Sequence, residues 1–359
     1  MSRRRVSAVS VILAALFCGQ SRAWWLSSGA NPPDDRASIA RLIAQARTSM
    51  EHGDVEQERS ALQQVLTLDP AHEAARLALT QLFMRLGRWD EAEGQAKVLL
   101  TQFPNNTEPI FLLAMTAMRR GDALRARDLA GRCLERGDAR PEVYKILALS
   151  DYLAGNTDQF EANIRLVLEK RPHDGEAKYL LARYLFEFKR YSESLRLFQS
   201  LLEIQPDHYK ARYYVGLSYV AAGDPERARA EFEASIKIIE SKNVVYAWPF
   251  ADLGRVLNDA GETGRALDCL SRGMRNDPVS PRIYYEYARC LFQQRGAAAE
   301  VKQALLEAVR LDPGYSEAYY LLARYYRKSG ENQAATQTLA KFRDLKSHPI
   351  PSPYGLPRQ

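Results

Sequence analysis

Apolar residues follow the period of an α-helix along most of this chain. In the segment 175–188 they are spaced i, i+3, i+4, i+7, i+8 and i+11, namely at Ala177, Leu180, Leu181, Tyr184, Leu185 and Phe188. The next segment, 191–204, has a similar arrangement at Leu195, Phe198, Leu201 and Leu202. Because such spacing places apolar side chains on one side of a helix, the pattern predicts two consecutive amphipathic helices.

Prolines and glycines interrupt this pattern at regular intervals. Four prolines recur at one or two multiples of a period of about 34 residues: Pro70, Pro104, Pro172 and Pro206. Four glycines recur with the same period, each half a period before the proline register: Gly87, Gly121, Gly155 and Gly223. Since proline ends helices and glycine favours tight turns, the chain is predicted to repeat a two-helix unit with this period.

The residues within each unit carry a recognisable signature. In 209–242 it consists of Val215, Gly216, Tyr219, Ala228 and Phe232, and in 316–347 of Tyr319, Leu322, Ala323, Tyr326, Ala335 and Leu339. The chain thereby resembles the tetratricopeptide repeat family over about residues 39–347. The resemblance implies an all-α fold, a right-handed α–α solenoid of about nine helix–turn–helix repeats. The repeats would start near residues 39, 73, 107, 141, 175, 209, 247, 281 and 316.

Two segments depart from this register. Near 241–246 the stretch "ESKNVVYAWPF" carries four extra residues, which we expect to lengthen a helix and its loop. The last stretch, 348–359, holds four prolines in twelve residues and cannot be helical. This proline-rich tail is either an extended segment or docks on the last repeat.

Residues 1–23 have the layout of a secretory signal. A basic start is followed by the apolar run "VSAVSVILAALF" over 6–17, which is too short to span a bilayer. We predict cleavage after Ala23, a linker over 24–38 and a mature protein of the bacterial periplasm or exterior, without a transmembrane span. Lipidation at Cys18 and an uncleaved N-terminal membrane anchor are the alternatives.

Composition and charge narrow the class of protein. The chain is 46% hydrophobic and 26% charged, as globular proteins are. Cleavage of the signal would remove four arginines from the 50 basic side chains and none of the 44 acidic ones, so the basic balance does not indicate a nucleic-acid partner. The three remaining cysteines, Cys133, Cys269 and Cys290, lie far apart and are expected to be small buried helix residues.

Catalytic and metal-binding motifs are missing from the sequence. It has no phosphate-binding loop, no dinucleotide fingerprint and neither an HExxH nor a GxSxG motif. The histidines His72, His173 and His208 lie in predicted turns, where we expect exposed polar side chains. The sequence therefore predicts a protein that is not an enzyme and needs no cofactor or metal.

The resemblance implies that first helices line a concave groove. Groove-facing positions in the C-terminal half pair a tyrosine with an arginine one turn later: Tyr179 and Arg183, Tyr285 and Arg289, Tyr320 and Arg324. We call these six residues the tyrosine–arginine row. Arginine binds carboxylates and tyrosine adds flat contact area, so the row could bind a ligand. The arginines could instead pair with nearby acids such as Glu286 or Glu317.

The N-terminal half of the groove is predicted to be apolar. There Phe111 and Met115 occupy the positions of the tyrosine–arginine row, Met118 occupies a third groove-facing position, and the three would suit an apolar helix or peptide.

These features together predict a non-enzymatic scaffold for protein–protein interaction in the bacterial envelope. It would bind an extended peptide or partner protein in its groove and so assemble or organise an envelope complex. The alternative is an export or secretion accessory protein that binds an anionic polymer, such as an acidic exopolysaccharide, through the tyrosine–arginine row. Oligomerisation through the C-terminal repeat is a further possibility.

Overall fold

The computed structural model describes residues 33–294 and 298–348, and all regular structure within them is helical. One compact unit ends at Pro172 and a second begins at His173. The first unit contains α1 (Pro33–His52), α2 (Val55–Leu68), α3 (Glu73–Arg85), α4 (Trp89–Gln102), α5 (Glu108–Arg119), α6 (Ala123–Glu135), α7 (Pro141–Ala154) and α8 (Thr157–Lys170).

The second unit contains α9 (Gly175–Glu187), α10 (Tyr191–Ile204), α11 (Tyr209–Ala221), α12 (Pro225–Ser241), α13 (Trp248–Asp259), α14 (Thr263–Asn276), α15 (Pro281–Gln293), α16 (Ala298–Leu311), α17 (Ser316–Lys328) and α18 (Asn332–Ser347). Each odd-numbered helix packs on the even-numbered helix that follows it. The predicted all-α repeat fold is therefore confirmed, with nine helix pairs in the described residues. We number the pairs as repeats one to nine.

Tight turns join the two helices of a repeat. Gly121 and Gly155 close α5 and α7 with φ of 80° and 89°, in the left-handed region that glycine enters without strain. Lys189, at the same place in repeat five, has a φ of 60°. The periodic glycines thus mark the turns that the sequence predicted.

Small residues let the two helices of a repeat approach closely. A Cβ atom on Gly216 of α11 would lie 2.5 Å from the ring of Phe232 on α12, and Phe232 is fully buried. Gly254 on α13 stands in the same relation to Leu270 on α14, again at 2.5 Å. The signature glycine is therefore needed for packing, because a larger side chain would overlap the partner helix.

Ion pairs connect successive repeats. Glu93 on α4 accepts hydrogen bonds from Arg125 on α6 at 2.7 Å and from Arg120, just after α5, at 2.9 Å. Hydrogen bonds from Arg125 and Lys97 lower the pKa of Glu93 to about 2. The carboxylate therefore stays ionised at neutral pH and stabilises the contact between repeats two and three.

The four-residue insertion lengthens α12 and forms an ordered loop. Helix α12 has 17 residues and ends at Ser241, after which Asn243 adopts a φ of 49°. The Asn276 side chain then donates to the Val244 carbonyl at 2.7 Å and accepts from the Tyr246 N–H at 2.8 Å. Asn276 thus satisfies backbone groups of the loop that would otherwise lack partners.

We predicted that the turn histidines are exposed polar side chains, but two of them form specific hydrogen bonds at helix ends. In His72 and His208 the Nδ1 atom accepts a hydrogen bond from the N–H of Ala75 and Ala211, at 3.2 and 3.1 Å. Both histidines therefore cap the N-terminus of a first helix, as Ser or Asp commonly does. Burial lowers the pKa of His208, which keeps Nδ1 free to accept.

Several predicted segments lie outside the described residues. These are the signal peptide, most of the linker and the tail from residue 349 onward. Helix α1 begins at Pro33, within the range that we assigned to the linker. In the described part of the chain, no helix is both long and apolar enough to cross a membrane.

Replacing Gly216 by alanine should destabilise the protein by about 1–3 kcal/mol, because the new methyl group overlaps the buried Phe232 ring. Gly131 on α6 is the matched control, since a Cβ there meets no atom within 4 Å. Gly131→Ala should stabilise the protein by about 0.5–1 kcal/mol through helix propensity. Urea unfolding measures both, and a similar sign for the two variants would contradict this packing.

Candidate functional site

The tyrosine–arginine row lies on three first helices of the second unit. Tyr179 and Arg183 are on α9, Tyr285 and Arg289 on α15, and Tyr320 and Arg324 on α17. The i, i+4 spacing brings each pair to one side of its helix. The guanidinium carbon lies 5.8 Å from the Tyr179 ring centre in the first pair and 5.9 Å from the Tyr320 ring centre in the third.

Two of the three tyrosines pack against the residue that precedes the next first helix. The Tyr179 ring lies 5.0 Å from His208, and the Tyr285 ring lies 5.1 Å from Tyr315. Burial raises the pKa of both Tyr179 and Tyr285. These two side chains therefore stabilise contacts between repeats, whereas Tyr320 is 46% exposed.

The three arginines of the row differ in whether they have an acidic partner. Arg183 forms an ion pair with Glu187 at 3.4 Å, and Arg289 donates to Glu286 at 2.8 Å with Asp259 at 3.5 Å. Arg324 is exposed, and no carboxylate of the described residues lies within 4 Å of it. The alternative of pairing with nearby acids thus holds for two arginines of the row and does not hold for the third.

Arg324 belongs to a small basic and aromatic surface. Its guanidinium carbon lies 5.4 Å from the ring centre of Phe292 on α15, and the Lys328 ammonium lies 5.0 Å from the same ring. Lys328 is exposed and, like Arg324, has no described carboxylate within 4 Å. We call Phe292, Arg324 and Lys328 the terminal cluster. It presents two positive charges beside an aromatic ring, which suits a carboxylate with an attached apolar group.

A buried polar network lies in the middle of the second unit and was not predicted. The Asp252 carboxylate, with no exposed surface, accepts from the Tyr213 hydroxyl at 2.8 Å and from Arg282 at 2.6 Å. Arg255 approaches the same carboxylate to 3.3 Å. The three partners come from α11, α13 and α15, so the network joins repeats six, seven and eight.

The sequence held a signal for this network. Asp252 and Glu286 occupy the same position of successive repeats, one that holds Leu180 in repeat five and Leu321 in repeat nine. An acid at an otherwise apolar position indicates a buried charge with a dedicated partner. Desolvation raises the pKa of Glu286 even though Arg289 lies beside it.

The apolar groove residues of the first unit are buried. Phe111, Met115 and Met118 are 7%, 9% and 1% exposed, and the Arg140 guanidinium covers the Phe111 ring at 4.7 Å. Every residue of α5 from Pro109 to Met118 is buried. The expectation that these three side chains line an accessible groove is therefore corrected: they pack within the first unit and are not available to a ligand.

The described residues offer little reactive chemistry. They contain no group of three His, Cys, Asp or Glu side chains that could hold a metal ion. The three described cysteines are buried and unpaired, as the sequence predicted. Burial raises the pKa of Cys133 and of Cys269 to about 12, so both thiols stay protonated and unreactive at neutral pH.

Stacked helix pairs with this signature define an α–α repeat protein. Family models described as tetratricopeptide repeat match residues 49–114, 147–209, 179–242, 251–316 and 304–337. These matches cover more than half of the chain. The chain belongs to the tetratricopeptide repeat family.

Comparison with known proteins finds distant similarity. Cellulose synthase operon protein C of Pseudomonas fluorescens strain SBW25 is 22% identical over 365 aligned positions, covering 86% of this chain. The chain spans only 28% of the length of that relative.

Two solved structures are also similar. A tetratricopeptide repeat protein from Parabacteroides merdae is 16% identical and covers 80% of this chain and 99% of its own, with a TM-score of 0.48. YrrB, a TPR protein with an unusual peptide-binding site, is 20% identical and covers 52% and 93%, with a TM-score of 0.39. Both TM-scores are low, so the fold assignment rests on the helix pairs and the family match.

Replacing Asp252 by alanine should cost about 3 kcal/mol of unfolding free energy, because the Arg282 guanidinium loses its carboxylate in a mostly buried place. Tyr213→Phe removes the hydrogen bond to Asp252 and a longer one from Arg282 at 3.4 Å, and should cost about 1–2 kcal/mol because Asp252 and Arg282 keep each other. Denaturant unfolding of the two variants measures which one loses more unfolding free energy. A smaller loss for Asp252→Ala than for Tyr213→Phe would show that the carboxylate does not hold the network together.

Proposed function

We propose that this chain is a non-enzymatic scaffold of the bacterial envelope. It binds an extended peptide or a partner protein along the first helices of its second unit and thereby assembles or organises an envelope complex. The observation that carries the proposal is the terminal cluster, where Arg324 and Lys328 lie exposed beside Phe292 without a described acidic partner.

The fold supports a binding role. Tetratricopeptide arrays present a long preformed surface, and a partner that lies along it makes many moderate contacts at little ordering cost to the scaffold. In the second unit the arginines on the first helices from α9 to α15 already have acidic partners, as Arg282 has Asp252 and Arg289 has Glu286. A partner therefore gains most from contacts at repeats eight and nine.

Location in the envelope rests on the sequence and on the relative. The basic start and apolar run within residues 1–23 favour export, with cleavage after Ala23, and an uncleaved anchor remains the alternative. The relative in a cellulose synthase operon supports an association with the envelope.

A photoreactive residue beside the terminal cluster should capture the partner in living cells. We expect a benzoylphenylalanine in place of Gln293, which is exposed at the end of α15 next to Phe292, to form adducts with one distinct protein. Mass spectrometry of the adducts identifies it. The same residue in place of Leu306, which is 43% exposed on α16 of the same repeat, is the matched control.

The adduct yields at the two positions distinguish a partner bound to the first helices from nonspecific cross-linking. Adducts at 293 and none at 306 support binding by the first helices. Adducts of equal yield at both positions, or at neither, would mean that this part of the protein does not bind a partner in the proposed way.

An anionic polymer is the second candidate ligand. The two exposed cations of the terminal cluster favour it, because arginine and lysine attract carboxylates at long range as well as in contact. An export or secretion accessory that guides an acidic exopolysaccharide fits this chemistry, and the cellulose synthase operon relative supports that class of function.

A salt titration tests this candidate. Polygalacturonate should bind the purified protein, and affinity should fall steeply between low and physiological ionic strength because exposed charges are screened. The double variant Arg324→Ala/Lys328→Ala should lower affinity about ten-fold or more.

Arg343→Ala is the control for that titration, since Arg343 is an exposed arginine on α18 of the same repeat. It should leave affinity nearly unchanged. Equal losses in the double variant and the control would indicate attraction by net charge alone, and salt-independent binding would exclude a polyanion at the terminal cluster.

A further inference from the structure

The four-residue insertion between repeats six and seven places an aromatic ring beside the start of α13. Tyr246, at the end of the insertion, is fixed by the hydrogen bond that its N–H donates to Asn276 at 2.8 Å. Its ring lies 6.2 Å from the Trp248 ring, and the two planes differ by only 5°. Both side chains are half-buried. We call these two parallel rings, which are partly open to solvent, the aromatic platform.

The buried Tyr213 ring supports this platform. It lies 5.8 Å from the Tyr246 ring and 6.3 Å from the Trp248 ring, and it is nearly perpendicular to both, at 86° and 89°. Tyr213 is 1% exposed, and its hydroxyl donates to Asp252 at 2.8 Å. Because its support is buried and hydrogen-bonded, the platform is preformed, and a ligand spends little free energy on ordering it.

Each ring of the platform has its own cation. The Lys210 ammonium lies 5.7 Å from the centre of the Tyr246 ring, and the Arg282 guanidinium carbon lies 5.8 Å from the centre of the Trp248 ring. Lys210 is on α11 and Arg282 is on α15. A ligand that lies on the two rings would therefore meet two positive charges that come from different repeats.

Acidic side chains balance these cations only in part. No carboxylate of the described residues lies within 4 Å of Lys210, and burial together with the nearby Arg183 lowers the pKa of its ammonium. Arg282 shares the Asp252 carboxylate with Arg255, at 2.6 and 3.3 Å. A half-buried ammonium without a counter-ion is unfavourable, and an anion bound beside it would remove that cost.

We propose that the aromatic platform, together with Lys210 and Arg282, binds an acidic saccharide. The C–H face of a pyranose ring packs on the flat side of tyrosine and tryptophan, while lysine and arginine bind the carboxylate. A uronate chain repeats a flat ring and a carboxylate, which matches two parallel rings that each have a cation. The site uses repeats six, seven and eight, so it does not rest on what binds at the terminal cluster.

Tryptophan fluorescence tests this site, because Trp248 is the only tryptophan in residues 173–359. Trigalacturonate added to the full chain should change the emission in a saturable way, and the change should vanish in Trp248→Phe. The neutral methyl ester of the same trimer should need a concentration about ten-fold higher or more. An unchanged emission, a change that persists in Trp248→Phe, or an equal response to the ester would overturn the proposal.

A charge variant tests the role of the lysine. Lys210→Met keeps the apolar part of the side chain and should weaken trigalacturonate binding about ten-fold or more. Lys237→Met is the matched control, since Lys237 is exposed on α12 of the same repeat, and it should leave the affinity nearly unchanged. Equal losses in the two variants would indicate attraction by net charge alone and would contradict a specific site.

Two further titrations separate this site from the alternatives. A tetraglutamate peptide that changes the Trp248 emission at the same concentration as trigalacturonate would assign the site to acidic peptides, and the proposal would then be wrong. The Arg324→Ala/Lys328→Ala double variant should keep the full response to trigalacturonate. Loss of the response in that variant would place the saccharide at the terminal cluster and would also overturn the proposal.

Discussion

Within each unit, every helix pair but the last has an apolar side that the next pair covers. This requirement explains why the second helix of one repeat packs on the first helix of the next within each unit. It also explains why Tyr179 and Tyr285 are occupied in packing, since His208 and Tyr315 of the following segment lie on them. The residue of the same position in repeat nine, Tyr320, is 46% exposed, and repeat nine is the last repeat of the described residues.

The pairing of arginines with acids also differs between the inner repeats of the second unit and repeat nine. A first-helix arginine inside the second unit is held by an acid from its own or a neighbouring repeat, as Arg282 is by Asp252 and Arg289 by Glu286. Repeat nine ends the described series, and its Arg324 and Lys328 have no described acid within 4 Å. The first-helix arginines of the second unit are therefore paired with acids up to repeat eight, whereas repeat nine has an unpaired Arg324 beside an aromatic ring, and we expect this difference to give a bound chain a preferred location.

The fold could be predicted from sequence because it depends on spacing. The repeat period fixes where helices begin and end, and the structure places Gly121 and Gly155 in the predicted turns. The candidate site was harder to predict, because accessibility depends on neighbours. Met118 occupies a groove position in the repeat pattern, yet α5 is apolar on every side and the pattern alone could not show which side is open.

The pairing of charges was also beyond the helical pattern. Arg289 and Arg324 occupy the same repeat position, and only the structure shows that Glu286 holds one and no described acid holds the other. The buried position of Asp252 was not predicted, because helical periodicity identifies buried positions by their apolar residues. An acid at such a position only looks like a departure from the pattern. Its partners, Tyr213 and Arg282, come from different repeats.

Hydrogen exchange of the full chain, with and without its captured partner, tests the central claim most directly. If the partner lies along the first helices of the second unit, exchange should slow in α15 and α17 while α16 and α18 exchange as before. Slower exchange confined to the even-numbered helices, or to the first unit alone, would contradict the account.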